Sequence, residues 1–418
     1  MNSTPRPPLG GAFALIWSGR SLSLLGGYIQ FLALPLWIQQ VSGSTTAALL
    51  AFAITFLPQI FCTPFAGVLA DRFDRRRLVI TVDLSAFAVA ASLALTVGAD
   101  RLGLVYLHLA VLQALAALGL PAFMSMLPDM VPEGRLLAAN SWLNASGGIA
   151  VTLGPLLGAT LLAHSSITVV IWINALTYLA AAAAMLPRVP DAAPAPDRGH
   201  LGAQLLAGFT AVRTDPVLRS TVMAEAPWHL CFGAATELVL MHLATGGGTQ
   251  APGLIGLGAG LGSLLVTLVF ARLKEASPTR LFMAASLTTA PVALTVAHFA
   301  GDGGNVAYVM IAGLLLGVQA YLIVLGPTMH CQRRPDPGLR GRVTAVRRTW
   351  KAIWQVAGFG AAAMLTRWVP AVTLVAVGGV LAAVATAPWA WRALRADHSP
   401  RLAAGIEAAP ITAPSRKA

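Results

Sequence analysis

Charge is the scarcest commodity in this chain. Of 418 residues only 11% are Asp, Glu, Lys or Arg, against 56% hydrophobic, and the mean hydropathy is +0.72. A soluble domain carries roughly 25% charged residues, so a water-facing surface over most of the chain is excluded. Cysteine is nearly absent. Cys62, Cys231 and Cys331 are odd in number and widely separated, which supports neither a disulfide framework nor a thiolate metal set and leaves small apolar packing residues. Lysine is down to three against 25 arginines. Paired Asp-rich motifs, His-Glu-x-x-His and a Ser with nearby His and Asp are also missing, which argues against an intramembrane lipid enzyme. The stretch GLIGLGAGLGSLL from Gly253 superficially suggests a nucleotide loop. It lacks the preceding strand and the following Lys-Ser/Thr, so close helix packing is the better reading. No cofactor, metal or ATP is implied.

What the chain has in abundance is long apolar runs. Twelve are near the 20 residues that cross a hydrocarbon core as helix: 13–38, 47–70, 78–98, 102–127, 136–163, 167–187, 217–244, 251–271, 281–300, 304–330, 343–366 and 368–391. They are continuously apolar, without the alternation of a β-barrel. The fold class is therefore an all-α membrane protein of twelve transmembrane helices in two six-helix halves. A net charge of +12 raises the question of nucleic acid, and the placement of the basic residues answers it. Counting loops alternately, 26 of the 28 Lys and Arg fall on the N-terminal side, with Arg20 assigned to that end of the first span, and only Arg101 and Arg367 fall opposite. Such a bias places both termini in the cytoplasm. The first span is too long for a signal-peptide core and is expected to stay. Trp17, Trp37, Trp368, Trp389 and Trp391 sit near span ends, where indoles anchor at the interface.

The one long break divides the chain into residues 1–187, a Pro-rich cytoplasmic linker at 188–216, residues 217–393 and a tail at 394–418. In the linker Leu201, Leu205, Phe209 and Val212 fall near one helical face, which would suit a helix lying on the membrane surface. Two six-span halves of equal length suggest a duplicated transporter with its pathway between them.

Between spans 2 and 3 stands GVLADRFDRRR, from Gly67 to Arg77. It resembles the signature of the major facilitator superfamily at that loop. LPDMVPEGRLLAANSW after span 4, LGPLLG in span 5, INALTYLAAA in span 6 and LRGRVTAV before span 11 resemble the branch of macrolide and enterobactin-type siderophore exporters and a lysophospholipid transporter. The resemblance implies a gating motif of Gly67, Asp71, Arg72, Arg75, Arg76 and Arg77, in which Asp71 faces a helix N-terminus and the arginines meet carboxylates, Asp129 among them, or lipid phosphates. LGPLLG also resembles the antiporter motif of drug exporters. Gly154, Pro155 and Gly158 would let span 5 bend and pack against the opposite half. This sequence departs from that pattern in having Ala150 where a glycine is expected, and Gly27 where related sequences carry an acid. Span 4 also lacks the arginine of many drug antiporters.

Ionisable groups inside spans are costly and mark function when a partner or wet cavity exists. Span 7 holds Glu225, His229, Glu237 and His242. Glu225 and His229 share a helical face about 6 Å apart, and Glu237 lies about 18 Å beyond Glu225, a ladder suited to proton relay. Against this, Glu225 would equally well bond a neighbouring helix and Glu237 lie near the outer surface. Asp83 in span 3 suits a structural ion pair and, with Glu225, His229 and Glu237, is a candidate for proton or substrate coupling. The polar residues Gln30, Gln113, Asn144, Gln319 and Tyr321 are available to line a cavity, and the basic run before span 11 serves as a topology signal or meets anionic lipid. The resemblance implies a monomeric, proton-coupled exporter of a small amphipathic compound in the bacterial inner membrane. A lysophospholipid flippase is the alternative.

Overall fold

The computed structural model describes residues 10–132, 135–186, 201–246, 251–272, 277–301, 305–336 and 339–397. They form fourteen α-helices: α1 (Gly11–Ser42), α2 (Thr45–Arg72), α3 (Arg75–Thr96), α4 (Leu102–Met130), α5 (Leu136–His164), α6 (Ile167–Ala184), α7 (Leu201–Thr214), α8 (Pro216–Cys231), α9 (Ala235–Gly246), α10 (Ala251–Arg272), α11 (Pro278–Gly301), α12 (Val306–Arg333), α13 (Arg340–Leu365) and α14 (Ala371–Asp397). Among the described residues nine helices are long and apolar enough to cross a membrane. Outward-facing side chains such as Leu95 (77% exposed) and Val384 (68%) give the surface an apolar character that only lipid tolerates.

Local chemistry sets the helix ends. Gly43 adopts φ 64° and closes α1 by donating its N–H to the Gln39 carbonyl, a left-handed cap that glycine reaches without strain. Asp74 caps α3 by accepting from the Arg77 N–H at 2.7 Å. Asp215 caps α8 ahead of Pro216 by accepting from Val217 and Leu218.

The single span expected at 217–244 is in fact two helices. α8 stops at Cys231, α9 starts at Ala235, and the carbonyl of Gly233, released by the break, accepts 2.8 Å from Gln355 Nε2 of α13. That side chain replaces the helical donor, as buried backbone requires. The linker helix α7 is anchored at its C-terminal end. Val212 is buried with Leu218, Val222 and Val343 of the second half, while Leu206 and Phe209 are exposed; Leu201 and Leu205 side chains lie outside the described residues.

Helix pairing repeats between the halves. In the first, α1 packs on α5 and α6, α3 on α4 and α6, and α2 on α4. In the second, α8 packs on α13 and α14, α11 on α12 and α14, and α10 on α12. The halves meet symmetrically, α2 against α13 and α5 against α10. The glycines of α10 serve packing, as read from the sequence: a methyl at Gly258 would stand 2.7 Å from the Met310 carbonyl oxygen of α12.

Candidate functional site

The halves close on each other at the face away from the termini. Gln39 Nε2 donates to the Met241 carbonyl at 3.2 Å, Thr46 Oγ1 to the Ala363 carbonyl at 2.9 Å, and Phe359 stacks on both Phe52 and Phe56 at 5.7 Å. On the side toward the termini lies a cavity of about 430 Å³, whose lining comes wholly from α1–α6. Aromatic rings of Tyr28, Phe31, Phe56 and Phe123 form much of it, with Gln59 and Gln113 as neutral polar groups.

Among the described lining residues one ion pair joins α1 to α3. Arg20 Nη1 donates to Asp83 Oδ1 at 2.9 Å, and the guanidinium stands 4.9 Å from the Phe123 ring centre. Asp83 is 3% exposed, and its Oδ2 has no hydrogen-bond partner among the described residues. Asp83 is thus in the ion pair expected of it, but at the cavity wall. Arg20, assigned to the membrane edge from sequence, is its partner inside α1.

The second half is organised differently. Glu225 is engaged in a two-pronged bond with Arg347 of α13, Nη2 to Oε1 at 2.6 Å and Nε to Oε2 at 2.9 Å. Arg347 also donates to Thr328 Oγ1 (3.0 Å) and the Val324 carbonyl (3.3 Å) of α12. Glu225 therefore bonds a neighbouring helix rather than His229. Arg347 was counted in the basic run before span 11, yet it is 6% exposed and holds three helices together. Its position four residues inside the span assigned to 343–366 was the available signal. His229 is 2% exposed, has neither ring nitrogen hydrogen-bonded among the described residues, and meets the Trp228 ring edge-on at 4.9 Å. Glu237 lies beyond the helix break, in the first turn of α9, with Oε2 buried and without a hydrogen-bond partner among the described residues. The expected ladder along one continuous helix is accordingly interrupted.

Of the expected gating motif, the side chains of Gly67, Asp71 and Arg72 lie outside the described residues. Arg76 reaches across to the end of α6, donating to the carbonyls of Met185 and Leu186, where a cation meets the negative helix terminus. Arg75 reaches the Ser125 carbonyl of α4, Arg77 is exposed at the start of α3, and Asp129 is exposed at the end of α4. The antiporter-like residues divide their contacts. A Cβ at Gly154 would strike Tyr28 and one at Gly158 the Ile29 carbonyl, both on α1 of the same half; Pro155 alone of the three is seen to touch the opposite half, against Gly256. Gln319 bonds Thr289 and the Ala285 carbonyl within the second half.

The profile of the major facilitator superfamily matches residues 16–359. The chain belongs to that superfamily. It is a multi-pass transporter of small molecules, not an enzyme. An uncharacterised MFS-type transporter of Bacillus subtilis, YfiS, is 24% identical over 84% of this chain and 86% of its own length. The multidrug efflux pump Tap of Mycolicibacterium fortuitum is 29% identical over 72% of this chain and 75% of its own. Macrolide efflux protein A of Streptococcus pyogenes is 27% identical over 43% of this chain and 45% of its own. In fold the superfamily member is similar to the peptide transporter PepTSo (TM-score 0.72, 12% identity, 94% of this chain and 99% of that one). It is also similar to a bacterial homologue of ferroportin in an inward-facing state (TM-score 0.65, 17% identity, 91% and 98%).

Proposed function

We propose that this superfamily member exports a small amphipathic organic compound from a bacterial cytoplasm across the inner membrane, in exchange for protons, as a monomer working by alternating access. With the basic loops inside, the cavity opens toward the cytoplasm and the sealed face is periplasmic, an inward-facing state. Aromatic walls suit an apolar body, and the relatives named as efflux proteins favour outward traffic. The observation that carries the reading is the Arg20–Asp83 pair at the cavity wall, with one carboxylate oxygen uncommitted.

Proton and ion pair exclude each other at Asp83, because a protonated carboxyl no longer holds the guanidinium as a counter-ion. Cargo in the cavity touches the same two groups, so loading and protonation are linked, as exchange requires. Glu225, locked to Arg347, serves here as a structural joint; Glu237 and His229 stand as secondary proton sites beside the helix break. The test is transport in proteoliposomes with and without a pH gradient. Asp83→Asn should abolish gradient-driven accumulation and keep gradient-free exchange, since the amide approximates the protonated acid. Full gradient-driven transport by Asp83→Asn would move the coupling away from the cavity.

A further inference from the structure

The cavity does not end at its inner wall. Gly27, Phe31, Thr55, Leu112, Gln113 and Tyr178 line it and also line a second space of about 30 Å³, which runs on between α1, α2, α4 and α6. That volume holds one water-sized group. No charged residue is among the described residues that line it, so an ammonium or carboxylate entering it would lose hydration without a counter-charge from them.

Its polar groups are unequal. Gln30 Oε1 already accepts from Asn174 at 2.7 Å, and Thr55 Oγ1 donates to the Ala51 carbonyl at 3.0 Å. Gln113 has an amide that no hydrogen bond among the described residues engages, and it stands where the two spaces join. An unengaged amide, with both an oxygen and an N–H to offer, therefore borders a volume of one heavy atom. Gly27 keeps the junction open: a Cβ built there meets nothing within 4 Å, so any side chain would stand in the passage.

We infer that the small space is a recognition pocket for an uncharged hydroxyl of the cargo, and that Gly27 and Gln113 set specificity there. The hydroxyl donates to the Gln113 amide oxygen, a bond its methyl ether cannot make, with the apolar body behind it among Tyr28, Phe31 and Phe56. The inference rests on the export reading and adds the cargo's leading group.

The experiment compares equilibrium binding of 2-naphthol and its methyl ether, 2-methoxynaphthalene, to the purified full-length protein in lipid nanodiscs. The wild type should bind the naphthol about ten-fold tighter, the worth of one hydrogen bond near the top of its usual range. Gln113→Leu should remove that preference and leave the ether's affinity in place. Gly27→Leu should also remove it by filling the junction, and serves as the second variant should Gln113→Leu not fold. Equal affinities in the wild type, a preference surviving both substitutions, or saturable binding of neither compound would overturn the inference. Gradient-driven export of any compound without a naphthol preference sinks the pocket alone. A naphthol preference in a protein that exports nothing sinks the export reading instead.

Discussion

Deleting the Glu225 carboxylate should cost this protein far more stability than deleting the whole Glu225–Arg347 pair. Both side chains are buried, at 1% and 7% exposure, and the geometry is two-pronged at 2.6 and 2.9 Å. Glu225→Leu leaves a guanidinium with only Thr328 and a backbone carbonyl to face, in surroundings where an unpaired charge costs about 3–5 kcal/mol. That corresponds to roughly two to three and a half orders of magnitude in the unfolding equilibrium. Replacing the pair together, Glu225→Leu with Arg347→Met, removes the stranded charge and should return to within about 1 kcal/mol of the wild type, since desolvation had offset most of the attraction. Unfolding of the purified protein in mixed micelles with increasing dodecyl sulfate, followed by Trp fluorescence, measures both variants. A single variant losing less than about 1 kcal/mol, or a double variant no better than the single, would refute the assignment of Arg347 as a buried partner.

Gly154→Ala should destabilise by about 1–3 kcal/mol, because the added methyl meets Tyr28 on α1, whereas Gly27→Ala should leave the melting temperature unchanged. Equal melting of the two variants would contradict the packing described for α5. With the native cysteines replaced, Phe52→Cys and Phe359→Cys joined by a short bifunctional thiol reagent should stop transport, and cleaving the link should restore it. Undiminished transport by fully linked protein would show that the two stay together through the cycle. Cysteine placed at Ser44, in the turn between α1 and α2, should react in intact cells with a membrane-impermeant maleimide, and cysteine at Phe73 only after lysis; labelling of both from one side would reject the proposed orientation.

Composition and run length carried the membrane class and the helical architecture, because a span of about 20 apolar residues is a local property that tertiary context does not alter. The fracture of span 7 was harder to see. Gly233 stands in an apolar run that would propagate as helix by itself, and what stabilises the break is Gln355, 122 residues away. The site followed the same division. Asp83 and Glu225 were visible as buried charges, but their partners were not: Arg20 and Arg347 sit near span ends, where arginine is ordinarily a topology signal. Only packing shows that both turn inward. The antiporter-like glycines were legible as close-approach positions, yet which helix approaches depends on the rotation of α5, which spacing alone does not fix.

The contacts that must break for the molecule to turn differ in kind from those that hold each half. Among the described residues two hydrogen bonds and two stacked ring contacts join the halves at the sealed face, themselves worth about 2–6 kcal/mol, and they sit on a shared apolar cluster in which Leu49 and Phe52 meet Leu238, Met241 and Phe359. Shifting a two-state equilibrium from 1:99 to 99:1 takes about 5.5 kcal/mol of differential binding, which in the proposed cycle cargo and a proton would have to supply between them. Within the halves, by contrast, Gly158 lies against the Ile29 carbonyl and Arg347 is clamped to the buried Glu225. Separating those groups exposes buried charge or opens a close-packed seam, at a higher cost per contact. In the proposed cycle the halves would move as bodies. Pro155 against Gly256, where α5 meets α10, touches across the seam between them and would serve as a pivot. The cavity lies in one half and the broken helix in the other, so under the proposed mechanism a proton or a cargo molecule at Asp83 would act on the equilibrium through this seam rather than through bonds of its own to the second half.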